Sequence, residues 1–419
     1  MERTKHAFSA GSGSPAAAPA ALRGRGAVTN VRHRFEQTER EPADDGWSSG
    51  QVAASQDDVS DADIAGSYIP IVPESTLKTT VTSEQARKLL SRNDSPDIPF
   101  DVAVNPYRGC EHGCVYCYAR PTHAYLGYSP GLDFETRLIA KANAVDVLRA
   151  ELARPGYRVS PINIGSATDV YQPIEREWQL TRGVLELLLQ TRHPATIVTK
   201  NALIERDLDL LQPLAEQRLI TVYISVTTLD TEMARTLEPR ASAPWRRIQA
   251  IRTLTNAGVP VGVLVAPIIP FINDESLEHI LQDARQAGAC YASYTVVRLP
   301  WEVKAVFQEW LEAHFPDRAQ RVLHRIEDMR NGRRNDPQFG TRMRGTGLWA
   351  NLLRQRFNLA VRKLGLNTTR PQLVTHLFQA PRAVSPASSV SAASVAGQSS
   401  SRQSRSSSPL SSSPQLALF

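Results

Sequence analysis

Strand-like and helix-like segments alternate six times between residues 100 and 313, and that repeat confines the chain to a layered α/β architecture. The strand-like runs are 100–104, 161–165, 195–199, 219–226, 259–266 and 291–297. The helix-like runs are 134–152, 177–190, 206–217, 244–256, 275–287 and 301–313. Residues 259–266 are apolar on both alternating faces, as expected of a strand covered from both sides. Helix 244–256 is closed by Ala257-Gly258, an ordinary C-terminal stop. Six successive βα units imply parallel strands joined by right-handed crossovers. Periodicity leaves two arrangements open, a doubly wound sheet and an incomplete (β/α)6 barrel. In a barrel, functional groups gather at the carboxyl ends of the strands.

Immediately after the first strand comes Asn105-Pro106-Tyr107-Arg108-Gly109-Cys110-Glu111-His112-Gly113-Cys114-Val115-Tyr116-Cys117-Tyr118. The spacing is C-x3-C-x2-C, and the one other cysteine is Cys290, at an apolar helix-to-strand junction where a buried structural thiol is expected. A [4Fe–4S] cube takes one cysteine per iron. Three ligands from one loop leave an iron open, and an open position is what a metal needs to hold a substrate. A Cys3His zinc site using His112 or His123 is the alternative, but zinc modules bring their ligands in two separated pairs and no second pair exists here. Disulfides are not expected from four cysteines in 419 residues.

The cysteine loop resembles the signature of the radical S-adenosylmethionine (radical SAM) superfamily, C-x3-C-x-aromatic-C, with Tyr116 at the aromatic position. Its flanks, Asn105 to Cys110 and Cys117-Tyr118-Ala119-Arg120, resemble a narrower branch, the spore photoproduct lyase-like (DNA-repair photolyase-like) proteins, over roughly residues 101–316 with an extension to about 366. The resemblance implies an incomplete (β/α)6 barrel. It also implies a [4Fe–4S] cluster on Cys110, Cys114 and Cys117, with S-adenosylmethionine chelated at the open iron. An electron from a flavodoxin- or ferredoxin-type donor then splits SAM into methionine and a 5′-deoxyadenosyl radical.

If that geometry holds, polar residues at the other strand ends surround SAM. Ser166 and Asp169, in the turn Gly165 to Pro173, are expected near the methionine ammonium. Lys200 follows the third strand and Ser225 ends the fourth. By resemblance Ser166, Lys200 and Ser225 are SAM contacts, Tyr116 an adenine-side contact and Tyr118 a catalytic relay tyrosine. Arg240 is expected to meet the SAM carboxylate, Glu238 or a helix end. One departure stands out: the branch uses an additional cysteine leading into strand two to return a hydrogen atom to its product. No cysteine occurs between Tyr118 and Ala289.

The chain carries 48 Lys plus Arg against 42 Asp plus Glu, a net charge of +6, and no apolar run approaches the ~20 residues of a membrane helix. A cytoplasmic protein without membrane partners is expected. Residues 1–65 and 381–419 read as disordered tails, the second dominated by serine. Residues 66–100 form a lead-in, 101–316 the core, and 317–380 a mainly helical extension. Within 317–370 there are 13 Lys or Arg and 4 acids, with helices expected at 318–329 and 349–364. The loop 331–345 between them mixes arginine, glycine and Phe339. It is read either as a nucleic-acid footprint or as an intramolecular clamp over the barrel mouth. The functional expectation is a radical SAM enzyme acting on nucleic acid first, and on a protein or small metabolite second. A non-catalytic zinc- or cluster-containing nucleic-acid-binding protein is the third reading.

Overall fold

The computed structural model describes residues 21–36 and 77–382; residues 1–20, 37–65 and 383–419 of the expected tails lie outside the described residues. The lead-in supplies β1 (Thr80–Glu84) and β2 (Leu90–Arg92). Then come β3 (Val102–Val104), the cysteine loop with β4 (Tyr107–Arg108), α1 (Asp133–Thr136), β5 (Arg137–Lys141) and α2 (Ala144–Leu152). β6 (Ile162–Ile164), α3 (Glu175–Trp178), α4 (Leu180–Gln190), β7 (Ala195–Thr199) and α5 (Leu208–Glu216) follow. Next are β8 (Ile220–Ser225), α6 (Thr231–Leu237), α7 (Pro244–Asn256), β9 (Val261–Ile268) and α8 (Leu277–Gln286). β10 (Tyr291–Val296), α9 (Val303–His314), α10 (Pro316–Asp328) and α11 (Gly347–Leu364) complete the chain.

The main sheet runs β10-β9-β8-β7-β6-β3-β2. Its first six strands are parallel, and only β2 is antiparallel to its neighbour. β3 and β10 do not pair with each other, so the six strands curve into an incomplete (β/α)6 barrel that stays open. β9 is mostly buried on both faces because helices cover the sheet, which explains why it is apolar throughout. The largest cluster of buried side chains joins the strands to α2, α4, α5, α7, α8 and the extension. α10 and α11 form the helical extension, as expected from the sequence.

Two expected helices are broken. Residues 134–152 are not one helix: β5 interrupts them, pairing in parallel with β1 and antiparallel to β4. Leu138 and Ala140 face inward there, so tertiary pairing overrides a helix-compatible sequence. Residues 177–190 break at Gln179, which adopts left-handed φ 47°. The buried Glu175 carboxylate then accepts the backbone N–H groups of Thr181 (3.0 Å) and Arg182 (3.3 Å), satisfying the free end of α4.

The N-terminal expectation is also corrected. Residues 21–36, assigned by composition to a tail, are a strap packed along the cysteine loop, α1 and α9. Gly26 N and Ala27 N donate to the Glu135 carboxylate at 3.0 and 2.8 Å, and Arg34 pairs with Glu302 at 2.9 Å. Gly26 lies so close to the loop that a Cβ there would fall 1.7 Å from the Gly113 carbonyl oxygen. Low-complexity composition hides this strap because its partners lie from about 50 to 280 residues away.

Candidate active site

The cysteine loop begins at the carboxyl end of β3 and is braced from three sides. Gln172, after β6, accepts from Glu111 N at 2.9 Å and donates to Gly109 O at 3.2 Å. Arg120 is fully buried and donates to the carbonyls of Cys114 (2.8 Å), Gly113 (3.1 Å), Pro130 (3.0 Å) and Gly131 (2.9 Å). Its remaining charge is met by the equally buried Glu135. Val115 N donates to Leu237 O at 3.2 Å, tying the loop to α6. Arginine's rigid fork suits it to holding several carbonyls of one loop at once.

Cys110 and Cys114 are buried and Cys117 is partly so; none is oxidised to a disulfide. Burial pushes all three thiols above the ordinary range. Asp169 adds to this at Cys110 and Glu238 at Cys114, while Lys200 acts in the opposite sense at Cys114 and Cys117. Three crowded thiols become thiolates readily only when positive charge arrives with them, and iron supplies that charge. Among the described residues no three His, Cys, Asp or Glu side chains converge on a single ion. A cube distributes its ligands over separate irons, and the donor set fits it. Cys290 corrects its own expectation: it is exposed, at the amino end of β10, the end of the sheet opposite the cysteine loop.

The strand ends gather most of the expected polar residues. After β6, Ser166 Oγ accepts from Asn105 Nδ2 at 3.2 Å, Asn105 Oδ1 accepts from Ala167 N at 2.8 Å, and the Tyr118 hydroxyl donates to the Ser166 carbonyl. Lys200, after β7, donates from Nζ to Ser225 Oγ (2.6 Å) and Ala266 O (3.4 Å), drawing the ends of β7, β8 and β9 together. Tyr116 is buried beneath Lys200, 5.8 Å from ring centre to Nζ, and its hydroxyl donates to Glu238.

Two expected contacts are engaged within the protein. Asp169 accepts from Thr199 Oγ1 (2.7 Å), Tyr171 N (2.9 Å) and Lys200 N (2.7 Å), with His112 Nδ1 at 3.3 Å. Burial pushes this carboxyl up, but His112 and these donors outweigh it and hold it at about 2. Arg240 pairs with Glu111 of the cysteine loop at 3.3 Å, not with Glu238. Glu238 pairs instead with Arg247 of α7 at 2.5 Å, both buried, and with Lys200 Nζ at 3.7 Å. Burial raises the Glu238 carboxyl, yet Arg247, Lys200, Thr227 and Tyr116 together hold it at about 2. Glu238, Arg247, Asn105 and Gln172 were not expected at the site. Their one sequence signal is polarity beside strand ends, and ordinary turns share it.

The radical SAM superfamily model matches residues 104–284. Uncharacterized proteins of Mycobacterium tuberculosis and Mycobacterium bovis are 37% identical over 226 residues, 54% of this chain and 66% of theirs, so the chain spans just under two thirds of their length. An uncharacterized protein of Methanocaldococcus jannaschii is 25% identical over 241 residues, 57% of this chain and 85% of that one. The fold is similar to that of spore photoproduct lyase complexed with dinucleoside spore photoproduct. The TM-score is 0.50 at 17% identity, covering 68% of this chain and 80% of that one. The cysteine signature, the six-stranded barrel with that loop at the end of its first strand, and the superfamily match agree on one region: residues 104–284 form a radical SAM domain.

Proposed function

We propose that the chain binds a [4Fe–4S] cluster through Cys110, Cys114 and Cys117 and cleaves S-adenosylmethionine reductively, with nucleic acid as the first candidate substrate. The observation that carries this reading is three thiols in one braced loop, close enough to Lys200 for its charge to act on two of them. When bound, the cluster and SAM supply the electron transfer and the 5′-deoxyadenosyl radical. The residues around them bind and orient. Lys200 and Ser225 offer a cation and a hydroxyl to the SAM carboxylate or ribose, and Ser166 offers a hydroxyl to the methionine ammonium. Tyr116 presents the adenine-side surface. Asp169 and Arg240 act one step back, Asp169 by positioning the Lys200 backbone and His112, and Arg240 by bracing Glu111. Tyr118, whose hydroxyl rests on the Ser166 carbonyl, is the proposed relay for a hydrogen atom. The apolar turn Pro267 to Ile272 keeps water away from a reactive radical.

Nucleic acid is favoured by the basic extension and by the substrate named for the similar lyase structure. The absence of cysteine between Tyr118 and Ala289 argues for a reaction other than spore photoproduct repair. A flavodoxin- or ferredoxin-type protein in the cytoplasm is the proposed reductant. Among the described residues no helix is long and apolar enough to cross a membrane. The test is anaerobic reconstitution, reduction and incubation with SAM, followed by mass spectrometry. Slow release of 5′-deoxyadenosine is expected even without substrate, and intact SAM with fully loaded, reduced protein would remove the proposal.

A further inference from the structure

Four arginines crowd the end of β10, and only Arg342 has an anionic partner. Arg342 is buried and paired with Asp97 through two hydrogen bonds of 2.6 and 2.8 Å. Arg330 is buried and donates to the carbonyls of Arg342 (3.0 Å) and Val297 (2.5 Å). Arg344 lies over the Tyr294 ring at 4.0 Å. Arg298 is different. Its Nη1 approaches only the Met343 sulfur, at 3.7 Å, a weak acceptor, and its Nε is buried without a hydrogen-bond partner. Among the described residues no carboxylate forms an ion pair with it.

The position of Arg298 is as telling as its lack of a partner. It follows the carboxyl end of the sixth parallel strand, the end that carries the site in this architecture. The peptide before it is fixed on both sides: Val297 N donates to Ile268 O at 3.0 Å, and Val297 O accepts from Arg330. Tyr118 is within electrostatic reach of Arg298, which places the guanidinium on the side of the cysteine loop and Ser166. The carboxylates in reach are Asp97 and Asp336. Asp97 is occupied by Arg342, and Asp336 already accepts from Gln338 N (2.8 Å) and Thr341 Oγ1 (2.6 Å). A half-buried guanidinium without an ion-pair partner, beside two further buried arginines, carries surplus positive charge, and such charge is stabilised by an anion that fits its fork.

We propose that Arg298 is the receptor for an oxyanion of the substrate, a phosphodiester or a carboxylate, at the mouth of the barrel. This deepens the proposed function and rests on it for the statement that the anion belongs to a substrate; the anion site itself does not depend on turnover. The test therefore uses the reconstituted, unreduced holoprotein, with inorganic phosphate as the first probe in equilibrium titration. Arg298→Gln is expected to weaken phosphate binding by about tenfold or more, as loss of a charge-assisted pair does. Arg298→Lys, which keeps charge but lacks the fork, is expected to fall between. If Arg298→Gln fails to hold its cluster, Arg298→Lys decides alone. Affinity equal to wild type in the deciding variant overturns the proposal.

Two matched pairs then identify the source. Thymidylyl-thymidine binding better than its uncharged methylphosphonate analogue assigns a phosphodiester. N-acetylalanine binding better than its amide assigns a carboxylate. No preference for the charged member of either pair overturns the substrate role, even where SAM cleavage itself is observed. Conversely, phosphate binding through Arg298 in a protein that leaves SAM intact would remove the radical reading and leave the anion site standing.

Discussion

The cysteine loop and the end of β10 both bury arginine, but they neutralise it differently. Around the loop two buried guanidiniums meet buried carboxylates, Arg120 with Glu135 and Arg247 with Glu238, while Arg25 of the strap rests on the Glu135 and Leu77 carbonyls and the Thr79 hydroxyl. At β10 only Arg342 has such a partner, while Arg330 rests on carbonyls and Arg298 on a sulfur. Closed pairs fix geometry and leave little charge for a ligand. Surplus charge does the reverse. The loop is thus built as a rigid cradle and the β10 end as a receptor. Within the basic run 317–370, Arg334 pairs with Glu327 and Arg356 with Glu278, so these two charges are met inside the protein.

The sharpest way to break this contrast is at the cradle itself. Cys110→Ala, Cys114→Ala and Cys117→Ala should each abolish the four-iron absorbance after anaerobic reconstitution, whereas Cys290→Ala should retain it. Iron analysis showing a full cube in Cys114→Ala, or its loss in Cys290→Ala, would contradict the assignment.

The second test compares the two kinds of pairing. Glu135→Gln strands the fully buried Arg120 and also replaces one of the two oxygens that accept from Gly26 and Ala27 with a donor, so it should cost about 3–5 kcal/mol in urea unfolding of the holoprotein. Asp97→Asn leaves Arg342 in a less enclosed place and should cost about 1–2 kcal/mol. Equal losses would mean that the two regions are built alike.

A third measurement uses a buried group outside both. His193 is held at about 4 by burial, with Nε2 on the Tyr157 hydroxyl at 2.9 Å. It is neutral when folded and protonates near 6.5 when unfolded. Its contribution is therefore complete above pH 6.5 and is lost as pH falls from 6.5 towards 4. Between pH 7 and pH 5 this amounts to about 2 kcal/mol, and His193→Phe should reduce the acid-side loss by that much in paired urea titrations.

The smallest effect is expected at Lys200. Lys200→Ala should weaken SAM binding by about tenfold while iron content is unchanged, because the ammonium contacts a ligand and not the metal. Loss of iron in this variant would move Lys200 from the receptor side of the comparison to the cradle.

Much of this was legible before any coordinates. The strands at 195–199 and 161–165 fall where the periodicity puts them, and helix 244–256 has the bounds read from its sequence. The three cysteines, Lys200 and Ser225 follow from ligand spacing and from the ends of those strands. β5 was read as helix because its pairing partners, β1 and β4, are segments whose register a helical period does not reveal. α6 was missed although Asp230 caps it, its side chain accepting from Glu232 N and Met233 N.

By itself, then, the chain's sequence determined the six-fold βα repeat, the C-x3-C-x2-C spacing and the carboxyl-end placement of its cationic and hydroxyl residues. Each of these is encoded within a few neighbouring positions. Only the tertiary structure decided that Asp169 is held by His112 and the Lys200 backbone, that Glu238 belongs to Arg247, that residues 21–36 strap the cysteine loop, and that Arg298 lacks a counter-charge. The reason is physical: a charged side chain's partner is set by which strand ends the topology brings within about 4 Å, and that proximity has no local signature in sequence.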